Sequence, residues 1–309
     1  MAEKQIINLN PEFGCELALG IPYAYWLHKN NQLEKVITSK GMKPFYYFCD
    51  NVEEKYEHRT IDNVGGGLNT LPNDWIHGVK PIEEPGVLDY SKWEPPAYIE
   101  HYANDSMTFD KPFVVIANKY TVEHGEPPAG YFSIDCLIDI FEYFKTIGYY
   151  VIYKRPTNTE FPVDQNDANA VHMKLNLTKE INGKVLSDFD LVEQYNNVIS
   201  FNDIVNDNLE ENYSASLYNE IQLQLFVNSD GFITPSGGGS ILCSCFGKKV
   251  LIYATHSGEM RPGYFNDNSY YKKLSNSDLF VVYDDHRETK KRGYNDYTEM
   301  MTKIKEIWV

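Results

Sequence analysis

Short apolar runs rich in β-branched and aromatic residues alternate with helix-length segments along most of this chain. In the first part, strands are predicted at residues 5–9, 33–39 and 45–48, and an apolar helix ending near residue 28 separates the first two. Parallel neighbours need a long crossover, usually a helix, whereas antiparallel neighbours need only a short turn. The alternation therefore predicts an α/β fold built on parallel sheets.

The same alternation returns with greater regularity after residue 112. Strands are predicted at residues 113–117, 149–153, 198–201, 232–234, 250–253 and 279–283. Helices are predicted at residues 133–147, 188–195, 216–227, 240–246 and 295–307, the first of them with Ser133 as its N-cap. This pattern predicts a doubly wound parallel sheet for the second part of the chain.

Between these two parts, residues 62–110 lose the alternation. Three consecutive glycines at 65–67 and a high density of prolines interrupt regular elements there. A chain of 309 residues has the length of two domains of ordinary size. We therefore predict two Rossmann-like doubly wound domains that face a cleft, one over residues 1–110 and the other over residues 111–309.

The charge balance narrows the classes of partner. Lys and Arg number 28 against 44 Asp and Glu, which gives a net charge of −16. Nucleic acids and anionic membranes are held by clustered positive charge, so neither is expected as a partner, whereas one small anion in a local pocket is compatible with this balance.

No apolar stretch approaches the ~18 residues of a transmembrane span, and the first residues lack a signal peptide. A cytoplasmic location is therefore expected.

The sharpest local motif is the glycine-rich segment TPSGGGSIL at residues 234–242. A predicted strand enters it and a predicted helix leaves it. Glycine lets the backbone approach a ligand closely, and the N–H groups at the start of a helix favour phosphate. The spacing is neither that of a Rossmann dinucleotide site nor that of a P-loop. The segment predicts contact with a phosphate or a nucleotide, and the alternative is a tight turn that holds no ligand.

Residues 232–253, FITPSGGGSILCSCFGKKVLIY, resemble the nucleotide-sugar site of GT-B glycosyltransferases, with Lys249 where proline is common. In that family a glycine-rich turn and the following helix hold the donor diphosphate. The segments FGCEL, IPYAYWLHKN and KPFYYF are in addition similar to glycosyltransferases of large DNA viruses and algae. The resemblance implies that the donor diphosphate is bound by Ser236, Gly237, Gly238, Gly239 and Ser240.

The loop after the first strand, residues 10–16, carries the candidate catalytic base. In inverting enzymes of this family a base at that position takes the proton of the acceptor hydroxyl while its oxygen attacks the anomeric carbon. Glu16 is the first candidate and Glu12 the second. The alternative for Glu16 is an acid that stabilises the start of a helix. A retaining mechanism would need no such base, and the sequence does not choose between the two stereochemical outcomes.

Four polar residues that follow predicted strands are further candidates for the donor phosphates: Asn118, Lys119, Lys154 and Arg155. A cation at the carboxyl end of a parallel strand can offset the charge on a departing diphosphate. Arg155 also resembles a basic residue of some fucosyltransferase-like enzymes. The alternative for Lys154 and Arg155 is a surface pair beside nearby acids.

The loop after the strand at residues 250–253 contains His256, Glu259 and Arg261. In GT-B enzymes the corresponding loop touches the donor sugar or ribose. The resemblance therefore implies that Glu259 accepts hydrogen bonds from ribose hydroxyls, while His256 or Arg261 meets phosphate.

Together these features predict a glycosyltransferase that moves a hexosyl or pentosyl group from a nucleotide-diphosphate-sugar donor to a hydroxyl of an oligosaccharide or other glycan acceptor. No metal or other cofactor is expected. The one acidic pair with metal-motif spacing, Asp188 and Asp190, begins a predicted helix, where Asp188 is expected as the N-cap. The five cysteines lack zinc-site spacing and are expected to be reduced.

Two alternative functions stay open. A sugar-nucleotide epimerase of the same fold would need an acid/base set around a single nucleotide-sugar and no acceptor groove. A non-catalytic carbohydrate- or nucleotide-binding module would use the aromatic residues for sugar stacking. The candidates to line such a groove, all in irregular segments, are Trp75, Trp93, Tyr98 and Tyr264.

Overall fold

The computed structural model describes residues 3–57, 59, 71–72, 90–123, 127–156, 172–208, 215–255, 258–261, 263–284 and 295–309. In this part of the chain the strands are β1 (Gln5–Asn8), β2 (Leu33–Ser39), β3 (Val52–Tyr56), β4 (Phe113–Ala117), β5 (Thr121–Glu123), β6 (Tyr150–Lys154), β7 (His172–Lys174), β8 (Thr178–Ile181), β9 (Lys184–Ser187), β10 (Val198–Ser200), β11 (Gly231–Pro235), β12 (Lys249–Ala254) and β13 (Asp278–Tyr283). The α-helices are α1 (Phe13–Cys15), α2 (Ile21–Lys29), α3 (Tyr98–Tyr102), α4 (Ile134–Thr146), α5 (Asp188–Val192), α6 (Phe201–Asp207), α7 (Ala215–Asn228), α8 (Gly238–Cys243), α9 (Tyr270–Lys273) and α10 (Thr298–Ile307). Short 3-10 helices span Lys43–Tyr46, Tyr90–Lys92, Ser244–Phe246 and Gly258–Met260.

The first sheet is parallel and has the strand order β1-β2-β3. The first two strands match their predictions, but the strand predicted at residues 45–48 is wrong. That segment begins with the 3-10 helix Lys43–Tyr46, and the third strand is β3. Phe45 and Tyr46 are fully buried, so their apolar run marks burial rather than strand pairing. Pro44, the residue just before the segment, has no N–H to give to a neighbouring strand.

The second sheet contains six parallel strands in the order β10-β6-β4-β11-β12-β13. Each of the six strands predicted after residue 112 is present, with bounds that differ by no more than two residues. When these six strands are numbered 1 to 6 in the order in which they follow one another along the chain, their order across the sheet is 3-2-1-4-5-6. This is the strand order of the doubly wound Rossmann fold. The predicted α/β class with Rossmann-like parallel sheets is confirmed.

The starts of two helices show how local side chains define the elements. Ser133 caps α4, since its hydroxyl accepts the Cys136 N–H, as the sequence predicts. The N-cap expected at Asp188 lies one residue earlier, at Ser187. Ser187 exchanges hydrogen bonds with Asp190 in a capping box, and this leaves the Asp188 side chain to a buried partner described below.

Both faces of the second sheet are covered, as a parallel sheet requires. Along β4, Val114 and Ile116 belong to one buried cluster, while Val115 belongs to another. The cluster of Val115 also contains Ile7 and Val36 of the first sheet. One apolar core therefore runs across both sheets, and the division of the chain at residue 110 stays a prediction.

Candidate functional site

The strand order places the candidate site at the carboxyl ends of β4 and β11. These neighbours lead to opposite halves of the sheet, and open parallel sheets bind ligands in the crevice that such a reversal creates. The Thr234 hydroxyl donates a hydrogen bond of 3.0 Å to the Ala117 carbonyl and ties the two strand ends together. The segments that follow them, at Asn118–Lys119 and Ser236–Gly237, are therefore side by side.

The glycine turn, which we define as residues 236–240, leaves β11 and enters α8 through one unusual backbone conformation. Gly237 has φ +130° and ψ −160°, a region that only glycine populates readily. Helix α8 begins at Gly238, and the first N–H groups of a helix have no partner within it. The Ser236 N–H before the helix is bonded to the Tyr253 carbonyl at 2.9 Å.

The Ser240 hydroxyl supports this turn from inside. It accepts the Gly237 N–H at 3.1 Å and donates to the Gly237 carbonyl at 2.7 Å. The side chain is fully buried. In the structure its hydroxyl is bonded to the backbone of the turn, and its predicted role as a phosphate ligand stays a prediction.

Lys119 is the cation that the structure brings to the glycine turn. A Cβ atom placed on Gly237 would lie 3.9 Å from the Lys119 ammonium, so this ammonium faces the turn from the end of β4. The neighbouring Asn118 has a different position. Its amide nitrogen donates to the Phe132 carbonyl at 3.0 Å, and its oxygen accepts the Phe132 N–H at 2.9 Å. Asn118 thus closes a loop and, by accepting the Lys119 N–H at 2.9 Å, holds Lys119 in place, while its role as a phosphate ligand stays a prediction.

Arg155 lies in a buried ion pair. Its guanidinium binds Asp188 through Nε and Nη2, the latter at 2.8 Å, and donates from Nη1 to the Leu175 carbonyl at 3.0 Å. Tyr153 donates a third hydrogen bond to Asp188 at 2.5 Å. All three of its nitrogens bind groups of the protein, and its predicted role toward donor phosphate stays a prediction.

Lys154 lies on the other side of the same strand end. Its ammonium is buried between the rings of Phe201 and Tyr218, at 5.9 and 5.6 Å from their centroids. Burial raises the pKa of the Cys243 thiol at the end of α8, and the positive charge of the Lys154 ammonium opposes that rise. Its role toward donor phosphate stays a prediction.

The loop after β1 meets the glycine turn by direct backbone contact. A Cβ on Gly14 would lie 3.1 Å from the Gly238 Cα, and a Cβ on Gly238 would lie 3.3 Å from the Gly14 nitrogen. Any side chain at either position would push the two loops apart. The carboxyl ends of the two sheets therefore face each other here, and the candidate site combines both.

Glu16 is fully buried at the start of a π-helical segment, Glu16–Gly20. Its carboxylate accepts hydrogen bonds from Thr38, from Tyr46 at 2.8 Å and from the Arg59 guanidinium. Arg59 also donates to the Pro11 carbonyl at 2.8 Å, so the ion pair holds the whole loop after β1. In the structure the Glu16 carboxylate is buried among these three partners and orders this loop, and its role as a catalytic base stays a prediction.

Glu12 is the acid of this loop that keeps partial exposure. It lies close enough to Cys15 to affect its titration, since burial raises the pKa of the Cys15 thiol to about 12 and the Glu12 carboxylate adds to the rise. Cys15 in turn acts on Tyr264, which belongs to the opposite side of the crevice. Of the two predicted bases, Glu12 is thus the one that is partly exposed, and its role as the base stays a prediction.

The loop after β12 contributes Glu259 and Arg261. Burial raises the pKa of Tyr264, the Glu259 carboxylate adds to the rise, and Arg261 opposes it, so these two side chains lie around that ring. Their roles toward the donor stay predictions, and His256 lies outside the described residues.

Among the predicted groove residues, Trp93 and Tyr98 are buried and bonded to backbone carbonyls, and Trp75 lies outside the described residues.

Three residues of the site have no role in the sequence predictions, namely Gly14, Arg59 and Tyr271. Gly14 is part of a segment quoted for its resemblance, but its contact with Gly238 joins positions far apart in the chain. Arg59 and Tyr271 lie in segments without a periodic pattern. No local signal identifies them, because their partners, Glu16 and Ser240, are distant in sequence.

Gly237→Ala is expected to lower the free energy of unfolding by about 1–3 kcal/mol, since an L residue is strained in this conformation. The control is Gly239→Ala, where the added Cβ meets Thr234 Oγ1 at an ordinary 3.6 Å and the position is helical. Alanine is ~1 kcal/mol better than glycine in a helix, so the control is expected to be neutral or stabilising. Urea unfolding checks both variants, and equal losses would contradict the assigned conformation.

Among the described residues, no group of three or more His, Cys, Asp or Glu is arranged to hold a metal ion. In the same part of the chain, no helix combines the length and the apolar character needed to span a membrane.

Comparisons with known proteins show the fold. No model of a known protein family matches the sequence, and no curated protein does. The ADP-heptose lipopolysaccharide heptosyltransferase II of E. coli is similar in structure, with a TM-score of 0.53 at 8% identity over 99% of this chain and 98% of that one. A glycosyl transferase family 9 protein of Veillonella parvula gives a TM-score of 0.46 at 11% identity over 99% of this chain and 90% of that one.

The iron-containing heptosyltransferase TibC of enterotoxigenic E. coli gives a TM-score of 0.42 at 17% identity over 85% of this chain, which spans 61% of the length of TibC. The likeness to heptosyltransferase II confirms the GT-B-like fold. The comparisons do not support the resemblance to viral and algal enzymes.

Proposed function

We propose that this protein is a glycosyltransferase that moves a sugar from a nucleotide-diphosphate-sugar donor to a hydroxyl of a glycan acceptor. One observation carries the proposal. The glycine turn, with Gly237 in a glycine-only conformation and Lys119 beside it, lies at the switch point of a Rossmann-type sheet and touches the loop of Glu12 from the other sheet. A donor site and a candidate base thus meet across the crevice.

The turn suits a diphosphate because it combines two kinds of positive charge. The N–H groups of Gly238 and Gly239 begin α8, where backbone donors and the helix dipole favour an anion. The Lys119 ammonium supplies a full charge at the same place. A cation and fixed backbone donors at a departing diphosphate stabilise the negative charge that grows on it in the transition state.

In the proposed reaction, Glu12 takes the proton of the acceptor hydroxyl while the hydroxyl oxygen forms a bond to the anomeric carbon. The bond from that carbon to the diphosphate oxygen breaks, and the nucleoside diphosphate leaves with the electron pair. This displacement inverts the anomeric carbon. Glu16, locked to Arg59, keeps the loop in the position from which Glu12 acts.

The sugar and the metal requirement belong to the same proposal. Heptosyltransferase II, which shares the fold, is named for ADP-heptose, so we place a heptosyl donor ahead of the hexosyl and pentosyl donors that the sequence predicts.

We propose that no divalent ion is needed, because Lys119 and the start of α8 already meet the diphosphate charge. Activity that survives EDTA would support this part, and activity restored by a divalent ion would contradict it.

A thermal-shift screen with ADP-, UDP- and GDP-sugars, including ADP-heptose, tests the donor site. A ligand that binds only the folded state at 100 times its Kd adds ~2.7 kcal/mol of stability, so the matching donor is expected to raise Tm. Adenosine, uridine and guanosine are matched controls, since they lack the diphosphate and are expected to leave Tm unchanged.

The outcomes of this screen separate the alternatives. A Tm that no nucleotide raises would contradict the proposed function. Sugar binding that does not depend on a nucleotide would identify a non-catalytic module. Conversion of the donor sugar to its epimer without an acceptor would identify an epimerase.

A further inference from the structure

A chain of hydroxyl groups connects helix α9 to the glycine turn. The Tyr271 hydroxyl lies 3.0 Å from the Ser240 Oγ, and Ser240 bonds to both the N–H and the carbonyl of Gly237. Tyr271 and Ser240 are both fully buried. Gly237, the residue of the turn in a glycine-only conformation, is thus held by a serine that is itself held by a tyrosine.

The direction of these bonds follows from counting protons. A serine hydroxyl has one proton and two acceptor positions. Because Ser240 donates its proton to the Gly237 carbonyl and accepts the Gly237 N–H, Tyr271 must be the donor in the remaining bond. The Ser240 hydroxyl is then fully satisfied, and its orientation depends on all three bonds.

Two features keep Tyr271 a permanent donor in a fixed place. Burial raises its pKa well above the ordinary value for tyrosine, so the hydroxyl stays protonated. The ring is packed against Phe265, Tyr264 and Tyr270, with centroids 4.8, 6.0 and 4.9 Å away. Neither the proton nor the ring is free to leave Ser240.

We propose that Tyr271 is a positioning residue for donor binding, which acts through Ser240 to hold Gly237 and the N–H groups that follow it in the conformation that receives the diphosphate. The role rests on the proposed function, because it assumes that the turn binds a nucleoside diphosphate. Tyr271 itself does not touch the donor.

Amide hydrogen exchange tests the local part without any ligand. In Tyr271→Phe the ring stays and the hydroxyl is lost, so exchange in the segment 236–241 is expected to accelerate by about 2- to 12-fold, the range of one neutral hydrogen bond. Tyr102→Phe is the matched control, since it loses a buried hydroxyl bond to the Pro44 carbonyl instead. Exchange in this segment that is the same in both variants would overturn the proposal.

Binding and kinetics test the functional part. In Tyr271→Phe the Kd for ADP and the donor KM are expected to rise by about 2- to 12-fold while kcat changes little. Ser240→Ala is expected to do the same, and the double variant is expected to be no worse than Ser240→Ala, because both changes break one chain of bonds. Additive losses, a fall confined to kcat, or an unchanged Kd would overturn the proposal.

The two arms distinguish the failure of this inference from the failure of the proposed function. If the wild-type protein binds no nucleotide, the proposed function fails, and with it the donor-binding role of Tyr271. Faster exchange in Tyr271→Phe would in that case still show that the hydroxyl chain holds the turn. If ADP binds equally to the wild type and the variant, the inference alone fails.

Discussion

Glu16→Gln is expected to lower the free energy of unfolding by about 3–5 kcal/mol, because it leaves the Arg59 guanidinium buried without an opposite charge. The side chains of Glu16 and Arg59 are 0% and 1% exposed, so water cannot replace the lost carboxylate. Urea unfolding with a linear extrapolation measures the change. Because this pair also holds the loop after β1, we expect that loop to become disordered in the variant.

The control for this variant is Glu53→Gln. Glu53 pairs with Lys35 on the same sheet, but the pair is exposed to solvent, and exposed pairs are worth about 0–1 kcal/mol. A Glu16→Gln protein that unfolds like the wild type and yet has lost turnover would contradict the structural role. That result would return Glu16 to the position of catalytic base.

Glu12→Gln is expected to lower kcat by about 10²–10⁴-fold, the usual contribution of a positioned general base. Glutamine keeps the size of the side chain and cannot accept the proton of the acceptor hydroxyl. Nucleotide affinity is expected to stay unchanged, because in the proposed reaction Glu12 acts on the acceptor hydroxyl and not on the donor. The free energy of unfolding is expected to fall by less than in Glu16→Gln, because Glu12 is partly exposed. Steady-state kinetics, nucleotide titration and urea unfolding measure the three quantities.

Glu34→Gln is the matched control, since Glu34 is exposed on β2 of the same sheet. An unchanged kcat in Glu12→Gln would exclude Glu12 as the base and would favour a mechanism that retains the anomeric configuration. A loss of nucleotide affinity without a loss of kcat would show instead that Glu12 shapes the donor site.

The sheets were predictable because their signals are local. The strands of the second sheet are short, mostly apolar runs, and at least one helix lies between each consecutive pair of them along the chain. This pattern depends on residues within a few positions of one another. The glycine turn was predictable for the same reason, as three glycines lie between a strand and a helix. The start of α8 and the left-handed Gly148 after α4 also follow from single residues.

The roles of the charged residues were less predictable. The patterns nominate four polar residues at strand ends, and of these only Lys119 is brought to the glycine turn by a contact that the described structure shows. Arg155 has the same local setting at the end of β6 but binds Asp188. A residue type at a strand end thus identifies a candidate, and the partner it meets after folding determines what the candidate does.

Segments 45–48 and 188–190 also show that a local pattern identifies a candidate and that the contacts made on folding determine its role. An apolar aromatic run predicted a strand at the first, and burial of Phe45 and Tyr46 accounts for the run without strand pairing. At the second, the sequence predicted an acid at a helix start, and the structure moves the cap to Ser187 because Asp188 has a cation to bind.

Local patterning alone was enough to define the second parallel sheet, the first two strands of the first sheet and the glycine turn, because apolar runs and backbone freedom are properties of neighbouring residues. Tertiary contacts decided which acid of the first loop is buried and which keeps partial exposure. Glu16 pairs with Arg59, 43 positions away, and Arg155 pairs with Asp188, 33 positions away. Charge interactions depend on distance and burial, and folding alone determines both.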